Sequence, residues 1–344
     1  MSAAALLLAL ALAGGQADPA AAAPAPPQSP PPPAASAPPP EPRNAVSLRL
    51  ENDIIAGTDQ DYTSGFSLAL SREGPGLLGG FWNWVGAGGG RLISTYELAQ
   101  MISTPSDIKR RVPDPNDRPY AGVLFGALTT QAVNGTRLDG LKLLAGVVGP
   151  VSLAEPVQKA IHAMTGSLQA RGWKYQLRNE LLLNVFYEQR RRYTLLTTDR
   201  GWGVQVIPRA GASLGNLLIQ AQAEGHVRFG RHLPDNFGTS LSRGLGNAPF
   251  PAPRRSVGEA PRSGAYVFAG GGAYFVRRNL VLDGNTLGDS PGVNKHPVVG
   301  SGEAGFSFWT GRVEVTASFV YWTREHEGQR RPGRFGTAVV AFSF

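Results

Sequence analysis

From Asn44 to Phe344 the chain repeats one pattern: apolar side chains at every second position, in segments of about ten residues broken by Gly, Pro, Asn and Asp. Val46, Leu48 and Leu50 alternate with Ser47, Arg49 and Glu51, and Phe66, Leu68 and Leu70 with Ser67, Ala69 and Ser71. Val313, Val315, Ala317, Phe319 and Tyr321 alternate with Arg312, Glu314, Thr316 and Ser318. The last segment sets Ala338, Val340, Phe342 and Phe344 on one face. Leu181, Leu183, Val185 and Tyr187 form another face, blurred by Leu182 and Phe186. A period of two is that of a strand with two unlike faces, so the chain is all-β.

About twelve such segments can be marked, near 44–54, 62–71, 92–102, 120–131, 138–149, 179–191, 202–213, 217–229, 265–276, 297–309, 312–324 and 334–344. An even number of antiparallel strands, each with an apolar face, predicts a transmembrane β-barrel; closure matters because lipid cannot pair the N–H and C=O groups of an open edge. A soluble β-sandwich with one wet face uses the same alternation. The near-continuous apolar face and the aromatics near segment ends (Trp82, Trp84, Trp202, Trp309, Tyr321, Trp322) favour the barrel. A mean hydropathy of −0.14 argues against a bundle of membrane helices.

The chain ahead of the pattern is different. Residues 3–13 are a short apolar run followed by small residues, which predicts a signal peptide over 1–17, although no Lys or Arg precedes it. Residues 18–43 are nearly all Ala, Pro and Ser and predict an extended linker, leaving 44–344 for the barrel.

Composition removes several chemistries. There is no Cys, hence no thiolate nucleophile or disulfide frame, and only five His. Phosphate-loop and His-Glu-x-x-His motifs are missing. The net charge of +8 is spread as short Arg groups (Arg190 to Arg192, Arg254-Arg255, Arg330-Arg331), which suits phosphorylated glycolipid better than nucleic acid.

Two places could carry chemistry. Glu51-Asn52-Asp53 and the stretch from Gly57 to Gly65 bring carboxylates, amides and hydroxyls together, the hard-oxygen set that Ca²⁺ takes; the same residues suit a solvated turn. The second is a break in the alternation. From Ser152 to Gly166, Ala154, Val157, Ile161 and Met164 recur at helical spacing, with Ser152 as N-cap, Pro156 in the first turn and Gly166 as the stop. Glu155, Gln158 and His162 then form a polar stripe opposite an apolar packing face. A His so placed could act as a general base, with Glu155 and Gln158 able to fix its tautomer, or be an ordinary packing residue.

These motifs resemble one family. Asn52-Asp53, Asp61-Tyr62-Thr63-Ser64-Gly65, Asp117-Arg118-Pro119-Tyr120-Ala121-Gly122, Val148-Gly149-Pro150 with Gln158 and His162, and Gly172-Trp173 with Gln176 and Asn179-Glu180 are similar, in order, to the lipid A 3′-O-deacylases. The resemblance implies a twelve-stranded barrel in the outer membrane of a Gram-negative bacterium. It implies a Ca²⁺-dependent esterase acting on the 3′-linked acyloxyacyl chain of lipid A, expected to be monomeric. It implies that His162 is the catalytic histidine, Asn52 and Thr63 polar site residues, Asp53 a cation ligand and Lys109 a substrate contact. The family's acidic residue after the histidine is replaced by Ser167, Leu168 and Gln169, so the expectation is either that Glu155 or Glu180 orients the ring or that the site has weaker activity. A non-enzymatic pore and a barrel phospholipase are the competing readings, separated from this one by whether Asn52, Asp53, Thr63 and His162 converge and by the lipid product.

Overall fold

The computed structural model describes residues 44–52, 61–238 and 263–344, with side chains for all of these except 61–63. The expected leader and linker, and Asp53, lie outside the described residues.

The alternating segments form thirteen strands: β1 Asn44–Asn52, β2 Asp61–Glu73, β3 Arg91–Thr104, β4 Ala121–Asn134, β5 Arg137–Val148, β6 Glu180–Arg191, β7 Tyr193–Thr197, β8 Trp202–Gly215, β9 Leu218–Arg231, β10 Ser263–Asn279, β11 Val298–Thr310, β12 Val313–Trp322 and β13 Gly333–Ser343. Three short helices interrupt them: α1 Gly79–Trp84, α2 Ala154–Thr165 and α3 Leu280–Asp283. Neighbours pair antiparallel. β1 closes on β13 from Ala45↔Ser343 to Asn52↔Gly336, and β6 and β7, separated by Arg192, both pair with β8. β6 and β7 are therefore two parts of one stave, and the sheet is a closed barrel of twelve staves. Each expected segment is one of them. No helix among the described residues is long and apolar enough to cross a membrane.

The faces divide as the alternation requires. Val46, Leu50, Phe66, Leu68, Leu70, Val340 and Phe342 point outward and are exposed, while Ser47, Arg49, Glu51, Ser67 and Ser71 point into the lumen and are buried. The lumen is filled rather than open. Lys142 Nζ lies 2.7 Å from Glu97 Oε2, with both side chains only 1% exposed, and Ser67 Oγ donates to the other Glu97 oxygen at 2.7 Å. Arg209 bridges Glu188 (2.8 Å) and Glu224 (2.9 Å). Charges this deep persist because each meets an opposite charge or a hydrogen-bond partner.

Three sequence expectations change here. Arg190 turns inward to Glu188 and to the carbonyls of Phe237 and Gly238, and Arg192 pairs with Asp235, so neither faces a glycolipid. Trp82 and Trp322 are buried within the molecule, Trp82 donating to Thr130 Oγ1 at 2.9 Å; Trp84, Trp202 and Tyr321 remain on the outside. Leu182 and Phe186, which blurred their segment, belong to an apolar layer with Leu217, Leu218 and the three apolar residues of α3.

β1 begins and β13 ends at one rim, where Asn44 N–H donates to Phe344 O at 3.0 Å. The opposite rim carries the end of β1, the start of β2 and the connections 105–120 and 149–179, the last containing α2.

Candidate active site

At that opposite rim, strand register lays out a row of four residues across the barrel wall: Asn52 of β1 opposite Ser64 of β2, Ser64 opposite Ile102 of β3, and Ile102 opposite Gly122 of β4. Glu51 and Gly65 are buried toward the lumen, so by alternation Asn52 and Ser64 face outward. Leu50 and Phe66 of the outward apolar face lie directly below them.

The row ends beneath α2. Gly122 leaves no room for a side chain, since a Cβ there would overlap Ala154 Cβ and Ser152 Oγ. Gln100 of β3 donates to Ser152 O at 2.6 Å. Ile102 faces outward yet is 2% exposed, because it packs with Ile108, Tyr120, Ala154, Ala170 and Trp173. Helix α2 therefore lies on the outer face of the wall, held by a small apolar cluster and a glycine that permits close approach. Tyr120 anchors the 105–120 connection to the same cluster: its ring lies 5.0 Å from that of Trp173, and its burial pushes the phenol up to about 12, so it stays protonated and donates to Ile108 O at 3.4 Å.

The helix is turned over relative to the sequence expectation. Ala154, Gln158 and His162 are its buried residues, whereas Val157 is exposed and Met164 is 88% exposed. The expectation put the apolar positions inside because it took water to be outside; on the lipid side of a barrel, apolar residues face outward without penalty. Ser152 is not the cap either. Its hydroxyl donates to Gly149 O at 2.6 Å, and the N-cap position is Leu153, at φ 59°. Gly166 does end the helix, at φ 72°.

That left-handed turn shapes the site. It returns the chain so that Ser167 N–H donates to His162 O at 3.0 Å and Leu168 O comes within 2.5 Å of His162 Nδ1. A carbonyl only accepts, so Nδ1 carries a proton, and the neutral tautomer this contact selects has its lone pair on Nε2. Nε2 has no hydrogen-bond partner among the described residues. Neither expected acid reaches the ring nitrogen. Glu155 accepts from Lys159 Nζ at 2.6 Å, one turn along the surface of the helix. Glu180 accepts from Asn216 Nδ2 (3.0 Å), Asn285 Nδ2 (3.1 Å) and Thr286 N (2.7 Å), tying three rim connections together. A backbone carbonyl takes the orienting place expected of Glu155.

Thr63 lies where β2 slips against β3, between the pairs Tyr62↔Ser103 and Ser64↔Ile102. Such a bulge re-aims side chains at a rim, but the Thr63 side chain is outside the described residues. Lys109 is exposed on the 105–120 connection, with its backbone N–H held by Asp107 Oδ1 at 3.1 Å. Asn52, Thr63, Lys109 and His162 thus occupy strand ends and connections of one rim. No cluster of three or more His, Asp or Glu suited to a metal occurs among the described residues. Gln158, expected with Glu155 to fix the His162 tautomer, meets Trp173 instead, Trp173 Nε1 donating to Gln158 Oε1 at 2.7 Å. The four-residue spacing of Gln158 and His162 was the available signal.

The fold is similar to that of LpxR from Salmonella typhimurium, with a TM-score of 0.68 over 87% of this chain and 99% of that one at 19% identity. The β domain of the Bordetella autotransporter BrkA covers 88% of this chain and 98% of its own at a TM-score of 0.41 and 12% identity. No curated protein matches the sequence. Residues 5–344 match the family described as outer membrane protein LpxR, and with the wall-mounted helix and barrel described above, the chain belongs to that family of outer-membrane lipid A-modifying proteins.

Proposed function

We propose that this protein hydrolyses the 3′-linked acyloxyacyl ester of lipid A, with His162 Nε2 as general base. The observation that carries the reading is the polar stripe of α2 pressed against the lipid-facing wall, with the His162 tautomer fixed by Leu168 O. A polar stripe on the membrane side of a barrel is costly without a polar partner, and the ester region of a lipid is a polar partner found at that level. The filled lumen speaks against a pore.

In this reading Nε2 removes a proton from water as the water attacks the ester carbonyl, and returns it to the departing sugar oxygen. Asn52, on the outward row, orients water or carbonyl, a role shared with Thr63. Lys109 meets an acidic group of the glycolipid head. The donors at the end of β1 and the start of β2 (the Asn52 amide, the Asp53 carboxylate, the Thr63 hydroxyl) are all oxygen or amide and fit a hard cation by type. Asp53 would hold Ca²⁺, which when bound supplies Lewis-acid polarisation of the carbonyl.

The test is mass spectrometry of lipid A and phospholipids from otherwise identical cells with and without the protein. Loss of the 3′ acyloxyacyl chain is expected. Phospholipid deacylation with intact lipid A would overturn the substrate, and no change in either would overturn the esterase.

A further inference from the structure

One buried polar group at the site has no counterpart. Gln158 is 2% exposed and lies on the wall-facing stripe, one helical turn before His162. Its Oε1 accepts from Trp173 Nε1 at 2.7 Å. An indole nitrogen can only donate, so this contact fixes the amide: the oxygen faces Trp173 and the NH₂ faces the other way. That NH₂ is buried and has no hydrogen-bond partner among the described residues.

Two other buried amides, Asn184 and Gln205, behave differently. Asn184 Nδ2 donates to Leu218 O (3.0 Å) while its Oδ1 accepts from Leu218 N–H (2.9 Å). Gln205 donates to Thr194 Oγ1 (3.0 Å) and accepts from Arg228 Nε (2.8 Å). Those two amides are used at both ends; Gln158 is used at one. A buried donor left unmade is tolerated where a ligand completes it. Side chains four residues apart on a helix have Cβ atoms about 5–6 Å apart, so Gln158 and His162 are neighbours on the buried stripe of α2.

We propose that Gln158 is a further catalytic residue, its Nε2–H₂ donating to the carbonyl oxygen of the ester as negative charge develops there. This rests on the esterase reading above. The attacking water gives one proton to His162 Nε2 and its oxygen bonds to the carbonyl carbon; the carbonyl π pair moves to oxygen, forming the oxyanion that Gln158 stabilises. Collapse re-forms the C=O bond, breaks the bond to the sugar 3′ oxygen, and passes the His162 proton to that oxygen. A free fatty acid and a 3′-hydroxyl result, with water the only co-reactant. A preorganised donor of this kind is worth about 10²–10³ in turnover.

The experiment compares full-length wild type, Gln158→Met and Gln158→Glu in mixed micelles of lipid A. Gln158→Met keeps the side-chain volume and deletes the donor. Gln158→Glu keeps an acceptor for Trp173, so a loss shared by both is not caused by an orphaned indole; if the Met variant fails to assemble, the Glu variant decides. The expected result is kcat lowered about 100- to 1000-fold at nearly unchanged KM in a protein with wild-type heat-modifiable migration. Binding of a long-chain trifluoromethyl ketone, which forms an oxyanion adduct, should weaken, while that of the matching ether should not. A folded variant turning over within about threefold of wild type, or equal loss of ketone and ether binding, would overturn the assignment. If wild type itself leaves lipid A intact, it is the esterase reading that has failed.

Discussion

The carbonyl oxygen of Leu168 lies 2.5 Å from Nδ1 of His162, in the place where the sequence led us to expect a carboxylate. A main-chain acceptor is supplied by the path of the backbone, so the side chain at 168 is free to be apolar, and it is exposed. This relationship decides how the surrounding positions should respond to mutation.

His162→Ala is expected to lower turnover by at least about 10²-fold, the usual worth of a general base, in a protein that still assembles. Glu155→Gln should leave turnover within about threefold, because that carboxylate is committed to Lys159. Gly166→Val places a β-branched residue at φ 72°, strains the turn that delivers Leu168 O, and should lower activity more than Leu168→Ala does. Lipid A mass spectra for the four variants in one strain check the order.

Gly122→Val tests the seating of the helix. The new side chain must overlap Ala154 and Ser152, so α2 lifts from the wall while the ladders of β4 to β3 and β5 persist. A displacement of about 1 Å costs on the order of 10²-fold in rate. Heat-modifiable gel migration should stay at the wild-type position as deacylation falls; unchanged activity would show that α2 does not need its close contact with β4.

Removal of Ca²⁺ by a strong chelator should abolish activity, and added Ca²⁺ should restore it where Mg²⁺ does not, since irregular oxygen donors suit Ca²⁺ and Mg²⁺ demands near-ideal octahedra. Asp53→Asn should shift the restoring Ca²⁺ concentration upward. Full activity in chelator would remove the metal from the reaction.

Lys142→Met separates scaffold from chemistry. It removes the ion-pair partner of Glu97 in the lumen and leaves Arg49 as the remaining cation near it; breaking a buried pair costs about 3–5 kcal/mol. Urea unfolding in detergent should show the loss, while the fraction that remains folded turns over normally, because the pair lies inside the wall and the helix outside it.

The barrel was legible because alternation is a direct imprint of a wall with two unlike sides: Leu48 between Ser47 and Arg49 already states which way each points. The helix was legible in extent but not in orientation. Val157, Ile161 and Met164 mark one face equally well whether it meets a core or a lipid, and only its placement on Gly122 and Ile102 decides. Leu182 and Phe186 misled for the opposite reason, being apolar on the lumen side where α3 closes the interior. The orienting carbonyl could not be read at all, since a backbone acceptor leaves no residue type in the sequence. Gln158 was visible as a stripe residue, but its half-used amide emerges only once Trp173, fifteen positions on, is folded against it.

Placing the polar stripe outside a filled barrel also fixes how such an enzyme would be supplied. A lipid reaching the wall between Asn52 and α2 arrives by sliding within its own leaflet and never passes through the protein. Encounter is then a two-dimensional event, set by the mole fraction of the lipid around the barrel and by how freely that leaflet flows. Crosslinking neighbouring glycolipids through divalent cations would slow it with no change in the protein at all.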